Sequence, residues 1–96
     1  MNPALPETYY VYLLRSYRGE HLYIGCTNNL EKRIEEHKTG KVVSTKRYLP
    51  MDLIYCETYI SKSDAFNREK ALKKYGSGLV KLKMRLKGTL QKGRAG

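Results

Sequence analysis

The segment that most constrains the fold is 21–37, in which a strand pattern gives way to a helix pattern across one short polar turn. Residues 21–25 have the composition of a short strand, and residues 26–28 form the turn. Asn28 can cap the helix that follows, because Glu31, three residues on, completes a capping-box pattern. The sequence therefore predicts a strand, a tight turn and a helix in direct succession.

One face of the predicted helix is defined by Leu30, Ile34 and His37, which recur at helical spacing. Arg33 and His37 are four residues apart, so their side chains meet one turn from each other. The helix should stop near Lys38, with Gly40 as its terminator. An arginine and a histidine are thereby gathered beside the strand-to-helix turn, although both residue types also occur on ordinary solvated helix faces.

The strongest strand pattern covers residues 9–15, where aromatic and aliphatic side chains are consecutive. Alternation along a strand divides these side chains between two faces, with Tyr10, Tyr12 and Leu14 on one and Tyr9, Val11 and Leu13 on the other. Residues 16–20 predict a hairpin loop that returns the chain antiparallel through 21–25. Tyr12 and Tyr23 then lie on neighbouring strands, with both hydroxyl groups able to point to the same side, although tyrosines also simply fill strand faces.

The rest of the chain predicts one more strand and looser segments. Residues 41–50 are polar and basic and end at a proline, so we expect a mobile loop, whereas residues 53–59 predict a third strand beside the hairpin. The element order predicts a small α+β domain in which one sheet face supports both helices. We expect residues 1–8 to be a flexible lead-in and residues 88–96 a flexible basic tail.

A second helix is predicted to begin at a cap formed by Ser61 or Ser63 and to run to about Tyr75, before the glycines that follow. The next stretch, 79–87, alternates apolar and basic side chains as a strand does. It also fits a helical stripe of leucines, and periodicity alone does not decide between the two.

Charge is distributed unevenly along the chain, whose formal net charge is +10 over 96 residues. Residues 62–96 hold 11 basic and 2 acidic side chains, whereas residues 1–61 hold 8 and 7. Such asymmetry indicates an electropositive face that meets nucleic acid or an acidic partner. We favour nucleic acid over charge that serves solubility alone.

Several classes of protein are disfavoured. No apolar run approaches the roughly 18 residues that a spanning helix needs, and residues 1–8 lack the order of a signal peptide. The two cysteines, Cys26 and Cys56, lack CxxC spacing and support neither a disulfide scaffold nor a zinc site. We expect reduced thiols in a cytoplasmic protein of one domain.

One acidic residue, Glu69, falls on the expected buried stripe of the second helix with Ala65, Leu72 and Tyr75. A buried carboxylate is costly unless it is paired or binds a metal. Lys73, four residues on, offers an ordinary ion pair, which spacing alone favours. A single carboxylate, completed by water and phosphate oxygens, is also a normal way to hold Mg²⁺.

Residues 10–12 (Tyr-Val-Tyr) and 23–25 (Tyr-Ile-Gly), followed by a helix arginine and a later glutamate, resemble the pattern of the GIY-YIG endonuclease superfamily. The resemblance is strongest to its small stand-alone bacterial members. The first tripeptide has Tyr-Val where the family motif has Gly-Ile, a replacement away from the tyrosine expected to act. The resemblance implies one domain over 9–87, a three-stranded antiparallel sheet flanked by helices (β-β-α-β-α-α), with a helix over the ambiguous 79–87.

The resemblance also implies residue roles: Tyr12 and Tyr23 match the motif tyrosines, Arg33 the helix arginine, His37 the position one turn later and Glu69 the metal-binding glutamate. It implies a DNA endonuclease in which Glu69 holds one divalent cation, Mg²⁺ or else Mn²⁺. Arg33 can offer planar donors to the charge on a phosphate. A free tyrosine titrates near pH 10, so Tyr12 or Tyr23 acts as a base only if nearby cations lower its pKa. His37 is the alternative base, or a relay.

Basic side chains are expected to line the groove for the nucleic-acid backbone: Lys46, Arg47, Arg68, Lys73 and Lys74. The sequence has no recognition helix or zinc module, so we expect selectivity for DNA shape, including branched or damaged DNA, rather than for sequence. Relatives of known role usually have a second domain, so a protein partner is expected to supply targeting here. Two alternatives remain: a non-catalytic nucleic-acid-binding module on the same scaffold, and an adaptor for an acidic protein.

Overall fold

A computed structural model describes residues 6–74 and 76–92 of the chain. Its elements, in chain order, are β1 (Tyr9–Ser16), β2 (Leu22–Thr27), α1 (Leu30–Lys38), α2 (Val43–Lys46), β3 (Met51–Tyr59), α3 (Lys62–Lys73), α4 (Ser77–Arg85) and α5 (Lys87–Gln91). The predicted α+β class, with a three-stranded antiparallel sheet flanked by helices, is confirmed.

β1 is the central strand of the sheet, which has the order β2-β1-β3, and it pairs antiparallel with both neighbours. Tyr12 lies opposite Gly25 on β2 and opposite Cys56 on β3. A register shift in the β1–β3 pairing leaves Ile54 without a partner on β1. Because β2 is the first strand in the order β2-β1-β3, it is an edge strand. A side chain that extends from β1 across Gly25 therefore reaches the edge of the sheet.

Both faces of β1 are buried, and different helices cover them. On one face Val11 and Leu13 pack with residues of β2, α3 and α4 and with the residue after α4, namely Ile24, Ala65, Leu72, Leu79, Leu82 and Leu86. On the other face Tyr12 and Leu14 form a second core, against which Leu30 and Ile34 of α1 pack. The alternation predicted for β1 is confirmed. The expectation that one sheet face supports both helices is wrong, because a strand that is apolar on both faces needs a cover on each.

The cap of α1 is Asn29 rather than the predicted Asn28. The Asn29 side chain accepts a hydrogen bond from the backbone N–H of Lys32 at 3.2 Å. β2 continues through Thr27, whose hydroxyl oxygen accepts a hydrogen bond from the Asn29 backbone N–H and delays the helix by one residue. Asn28 instead donates from its amide to Glu7. The predicted capping box is consequently absent, since its acidic member sits one position too early.

Two short helices occupy segments that the sequence did not mark as helical. α2 lies inside the expected loop 41–50, and α5 covers part of the expected tail, whose residues 93–96 lie outside the described residues. The buried Arg15 guanidinium donates hydrogen bonds to the carbonyl oxygens of Thr89 and Leu90, at 3.3 and 3.0 Å. A cation against the last carbonyls of a helix is favourable, and these hydrogen bonds join α5 to β1.

The cap of α3 is Ser61, one of the two predicted caps, whose hydroxyl oxygen accepts a hydrogen bond from the backbone N–H of Asp64. The predicted end at Tyr75 lies outside the described residues. The ambiguous stretch 79–87 is mainly helical, because α4 turns Leu79 and Leu82 toward the α3 side of the core. No helix among the described residues is long and apolar enough to cross a membrane.

Candidate active site

The phenol ring of Tyr12 extends over Gly25 toward the edge of the sheet. A Cβ added at Gly25 would overlap the Cζ and Oη atoms of Tyr12, so the absence of a side chain there makes room for the ring. Tyr12 is only 1% exposed, and the centroid of its ring lies 6.2 Å from that of Tyr23 on β2. The two tyrosines predicted to share a side of the hairpin therefore lie together.

His37 joins this pair from α1. Its Nε2 atom lies 2.8 Å from the Tyr12 Oη atom, within hydrogen-bond distance, and its ring meets the Tyr23 ring edge-on with centroids 4.9 Å apart. Leu30 and Ile34, on the same face of α1, pack against the core beside Tyr12 and so fix the direction of the imidazole. His37 is 1% exposed and belongs to the buried face of the helix, not to a solvated one.

Thr45, which was not among the residues predicted for the site, lies on the other side of the imidazole. The Oγ1 atom of Thr45 lies 2.8 Å from the Nδ1 atom of His37, and the residue is completely buried. Helix α2 brings it there, eight residues after the histidine. No local pattern marks it, because a lone threonine in a polar, basic segment resembles an ordinary loop residue.

Arg33 lies one turn before His37, with its guanidinium beside the Tyr12 hydroxyl. It forms an ion pair with Glu36, whose Oε1 atom is 3.1 Å from the Arg33 Nη1 atom. Burial works against the charge, but Glu36, Tyr12 and Tyr23 outweigh that effect and raise the pKa of Arg33. The site thus holds a permanently charged planar donor next to a phenol.

The acid–base properties of the central pair follow from burial. Burial raises the pKa of Tyr12 well above its usual value and Tyr23 adds to the effect, while Arg33 opposes it. Burial, together with the charge of Arg33, lowers the pKa of His37 below 6.5, and Glu36 acts weakly in the other direction. At neutral pH the hydrogen bond therefore joins a neutral phenol to a neutral imidazole.

Glu69 approaches from α3, on the opposite face of the sheet. Its side chain is 19% exposed and forms an ion pair with Lys73 at 3.1 Å, the ordinary pairing that spacing favoured. Its charge also contributes to raising the pKa of Tyr12 and, after the effect of burial, that of Cys26. α1 and α3 lie on different faces of the sheet, but the Tyr12 ring reaches the sheet edge. The charge of the Glu69 carboxylate can therefore affect the pKa of the Tyr12 phenol.

A cation held here would receive few protein ligands. Among residues 6–74 and 76–92, no group of three or more His, Cys, Asp or Glu side chains is placed to hold a metal ion. Glu69 is a hard oxygen donor, and Mg²⁺ is commonly bound by one or two carboxylates with water and substrate phosphate as the other ligands. The site fits that kind of coordination and does not fit a closed cage of protein ligands.

The five predicted nucleic-acid-binding residues fall into different environments. Arg47 stacks over the Tyr48 ring at 4.9 Å, and Tyr48 in turn stacks on His21 with ring centroids 3.6 Å apart. Lys46 is exposed beside Arg47, whereas Lys73 pairs with Glu69. Two of the five thus lie on α2 and the turn that follows it, near the side of the sheet that holds Tyr23.

The last two are Arg68 and Lys74. Arg68 makes a bidentate ion pair with Glu57 of β3, with contacts of 2.9 to 3.2 Å, and Tyr55 and Tyr59 donate hydrogen bonds to the same carboxylate. Lys74 is exposed just after α3. Lys74 is thus open to solvent, whereas the guanidinium of Arg68 is already engaged within the protein.

A surface cavity of about 610 Å³ borders the site on its Arg33 side. Its lining includes Lys32, Arg33, Lys62, Phe66 and Cys26. The cavity gives space for a ligand in contact with the guanidinium, and both cationic and aromatic side chains surround that space.

Comparison with known proteins shows which family the chain belongs to. Residues 8–79 match the model of the GIY-YIG catalytic domain. The chain is 41% identical to a UPF0213 protein of Oceanobacillus iheyensis over 70 residues, which is 72% of this chain and 80% of that protein. It is 42% identical to a UPF0213 protein of Staphylococcus haemolyticus over 77 residues, 79% of this chain and 92% of that protein. It is 44% identical to a UPF0213 protein of Clostridium perfringens over 66 residues, 68% of this chain and 70% of that protein.

The matched region includes both tyrosines, the arginine, the histidine and the glutamate of the site. The UPF0213 names describe no activity, whereas the domain is a nuclease domain and so points to hydrolase chemistry on nucleic acid in general. The chain therefore belongs to the GIY-YIG family, among its small single-domain bacterial members.

Proposed function

We propose that this protein is a metal-dependent endonuclease that hydrolyses phosphodiester bonds in DNA. The observation that supports the proposal most directly is the hydrogen bond between Tyr12 and His37, which lies beside the guanidinium of Arg33. A proton acceptor and a fixed positive charge within one site are what phosphodiester hydrolysis requires of side chains.

Arg33 contributes charge stabilisation. When water adds to phosphorus, negative charge grows on the non-bridging oxygens, and a planar guanidinium can donate two hydrogen bonds to them. Its ion pair with Glu36 holds the side chain in place before substrate arrives. Since Arg33 remains ionised at all relevant pH values, its contribution is insensitive to pH.

Tyr12 receives the proton of the attacking water. Its raised pKa disfavours a free phenolate, so the phenol must lose its own proton to His37 Nε2 as it accepts the proton of water. The water oxygen bonds to phosphorus, the bond to the 3′ oxygen breaks with its electron pair, and that oxygen takes a proton from solvent to become a hydroxyl. His37, left as imidazolium, then returns its proton to solvent. The two roles considered for His37, base and relay, thereby become one.

Glu69 is the proposed metal ligand. A divalent cation bound there, Mg²⁺ or Mn²⁺, would neutralise charge on the phosphate and help the 3′ oxygen to leave. The carboxylate suits this role because a half-exposed ammonium, that of Lys73, is its ion-pair partner and can be displaced at little cost. Tyr23 packs against both Tyr12 and His37 and is assigned the role of orienting them.

Exposed cations around the site provide the proposed path for the DNA backbone. Lys46 and Arg47 approach from α2, and Lys73 and Lys74 from the end of α3. Contacts of this type bind phosphate without reading bases, so selectivity would come from DNA shape, such as branches or flaps. Arg68 is left out of this path because its fork already binds Glu57. A protein partner that directs the enzyme to its substrate, and a cytoplasmic location in keeping with two free cysteines, complete the proposal.

A cleavage assay tests the proposal. Branched, flapped and plain duplex DNA are incubated with the purified protein and Mg²⁺ or Mn²⁺, and products are resolved on denaturing gels. Tyr12→Phe and Glu69→Ala should abolish cleavage. Tyr10→Phe, which removes a phenol hydroxyl two residues away on the same face of β1, should leave it unchanged.

The competing functions give different results in the same assay. A non-catalytic binding module would bind DNA in a salt-sensitive way, without cleavage and with no response to Mg²⁺ or to Glu69→Ala. An adaptor for acidic proteins would not bind DNA. Undiminished turnover in both Tyr12→Phe and Glu69→Ala would overturn the assigned roles.

A further inference from the structure

We propose that Thr45 is a positioning residue that fixes the tautomer of His37, so that Nδ1 holds the proton and Nε2 is free to accept from Tyr12. The catalytic part of this inference rests on the proposed endonuclease function, whereas the tautomer itself does not. The basis is a continuous buried chain of polar atoms from α2 through α1 to the central strand.

The chain runs through three buried side chains. The Tyr12 Oη atom lies 2.8 Å from His37 Nε2, and His37 Nδ1 lies 2.8 Å from Thr45 Oγ1. The Thr45 hydroxyl also donates to the Val42 carbonyl oxygen at 3.4 Å. Tyr12, His37 and Thr45 are at most 1% exposed, so these groups have few partners besides each other.

Each inner member of the chain can donate or accept, so the ends of the chain decide its direction. At one end is the Val42 carbonyl, which can only accept a hydrogen bond. The Thr45 hydroxyl can give its proton to this oxygen, which also accepts from the backbone N–H groups of Thr45 and Lys46, and it then presents a lone pair to His37 Nδ1. A neutral imidazole has one N–H, and this arrangement places it on Nδ1.

The other end gives the same direction independently. The Tyr12 side chain is 1% exposed, and the hydrogen-bond partner of its hydroxyl among the described residues is His37 Nε2, at 2.8 Å. A buried phenol O–H needs an acceptor, so its proton points to His37 Nε2, and the N–H of the neutral imidazole is then on Nδ1. In the reversed arrangement the Nε2–H would face Tyr12, and the buried phenol proton would lose its acceptor.

The consequence for catalysis is that the relay is aligned before substrate binds. Nε2 offers its lone pair to the Tyr12 proton, and the imidazolium formed by transfer keeps its Nδ1–H bond to Thr45. Without the hydroxyl at residue 45, the imidazole could adopt the other tautomer, which presents N–H to the phenol and cannot accept its proton. A third group that orients a catalytic histidine is a recurring arrangement in enzymes.

The test uses Thr45→Val, which removes the hydroxyl, Thr45→Ser, which restores it, and Ser44→Ala as a matched control on the exposed side of α2. Ring-nitrogen NMR of uniformly ¹⁵N-labelled protein reports the tautomer directly. His21 is the only other histidine, so His21→Gln assigns the signals. Wild type, Thr45→Ser and Ser44→Ala should show the Nδ1–H tautomer, and Thr45→Val a mixture.

Kinetics on a cleaved substrate give the second arm. Thr45→Val should lower kcat by about 10- to 100-fold with little change in KM, as is typical for loss of a group that orients a catalytic ligand. Thr45→Ser should recover most of the rate, and Thr45→Ala is the second variant should the valine variant not fold.

The two arms separate failure of this inference from failure of the proposed function. An Nε2–H tautomer in the wild type, or wild-type kcat and tautomer in Thr45→Val, overturns the positioning role. Absence of cleavage with an intact Nδ1–H tautomer that depends on Thr45 overturns the nuclease proposal and leaves the assignment of the tautomer standing.

Discussion

The phenol ring of Tyr12 lies against Gly25, its cross-strand neighbour on β2. Because that position has no side chain, the ring extends across the edge strand and its hydroxyl reaches His37. The backbone of Gly25 pairs regularly in the sheet, so the turn does not require a glycine at this position. The site requires it, because a side chain here would occupy the space of the Tyr12 ring. This relationship ties the second tripeptide of the motif to the tyrosine of the first.

Gly25→Ala should displace the Tyr12 ring and separate its hydroxyl from His37. We expect a loss of about 1–3 kcal/mol in the free energy of unfolding, the usual cost of forcing an extra carbon into a packed site. Cleavage should fall to background. Urea unfolding and kcat/KM measure the two effects. Gly88→Ala is the control, because a Cβ there meets no atom within 4 Å. Full activity in Gly25→Ala would show that the ring position is not needed.

Glu69→Gln should remove activity with little effect on stability. The ion pair with Lys73 is half exposed on the lysine side, so its loss should change the free energy of unfolding by less than about 1 kcal/mol. Cleavage should be lost, since an amide is a poor ligand for a divalent cation. Isothermal titration with Mn²⁺ should show correspondingly weaker binding.

Lys73→Met breaks the same ion pair and keeps the carboxylate, which makes it the matched variant. We expect turnover to remain, with a higher KM for DNA because one cation of the backbone path is gone. Equal losses of kcat in Lys73→Met and Glu69→Gln would mean that the ion pair, and not a metal-binding carboxylate, is what the site needs.

Cleavage should decline on the acidic side as His37 becomes protonated. Burial, and then Arg33, lower the pKa of His37 below 6.5, while Glu36 opposes the shift; the neutral groups Tyr12, Tyr23 and Thr45 complete its surroundings. Because the relay needs the neutral imidazole, kcat/KM should be constant above about pH 6.5 and fall as pH drops through the lowered pKa.

Glu36→Gln tests the sign of that pH effect. Removing the one nearby negative charge that favours the imidazolium should move the acidic limb of the profile to lower pH. Stability should follow the same direction: since the unfolded chain binds the proton more readily, the free energy of unfolding decreases as pH falls below 6.5. A limb that moves to higher pH in Glu36→Gln would exclude His37 as the group that titrates.

Much of the fold could be predicted because it depends on local periodicity. Alternation along β1 assigned Tyr12 and Leu14 to one face, and the spacing of Leu30, Ile34 and His37 identified the buried face of α1. Such patterns reflect which side chains a strand or helix turns inward, and they need no knowledge of distant contacts.

What could not be predicted depends on contacts between distant segments. Both faces of β1 are apolar, so each needs a helix to cover it, and α1 and α3 lie on opposite faces. Periodicity shows which side of a helix is buried, but not which face of the sheet the helix covers. The position of Thr45 depends on its contact with His37, and α5 on the hydrogen bonds that Arg15 donates to its carbonyl groups. Helices of four or five residues are too short to form from local preference alone.

The ion-pair partner of Arg68 is another contact between separate elements that the local sequence pattern does not reveal. A basic helix residue in a basic half of the chain suggested a phosphate contact. In the structure its guanidinium instead binds Glu57, eleven residues earlier on β3, and Tyr55 and Tyr59 add hydrogen bonds to that carboxylate. Burial alone would raise the pKa of Glu57, but the hydrogen bond from Arg68 and those from the two tyrosines lower it.

Arg68→Ala should therefore weaken the fold rather than DNA binding. It leaves a half-buried carboxylate without its main partner, which should cost about 1–3 kcal/mol at neutral pH. This difference from wild type should shrink as pH falls through the lowered pKa of Glu57, because a protonated carboxyl no longer needs the guanidinium.

Lys74→Ala is the matched control variant. An exposed lysine should contribute to the salt dependence of DNA affinity and not to stability. Urea unfolding from pH 4 to 7 and DNA titrations over a range of salt separate the two. A lower salt slope in Arg68→Ala, with unchanged stability, would return Arg68 to the DNA-binding surface.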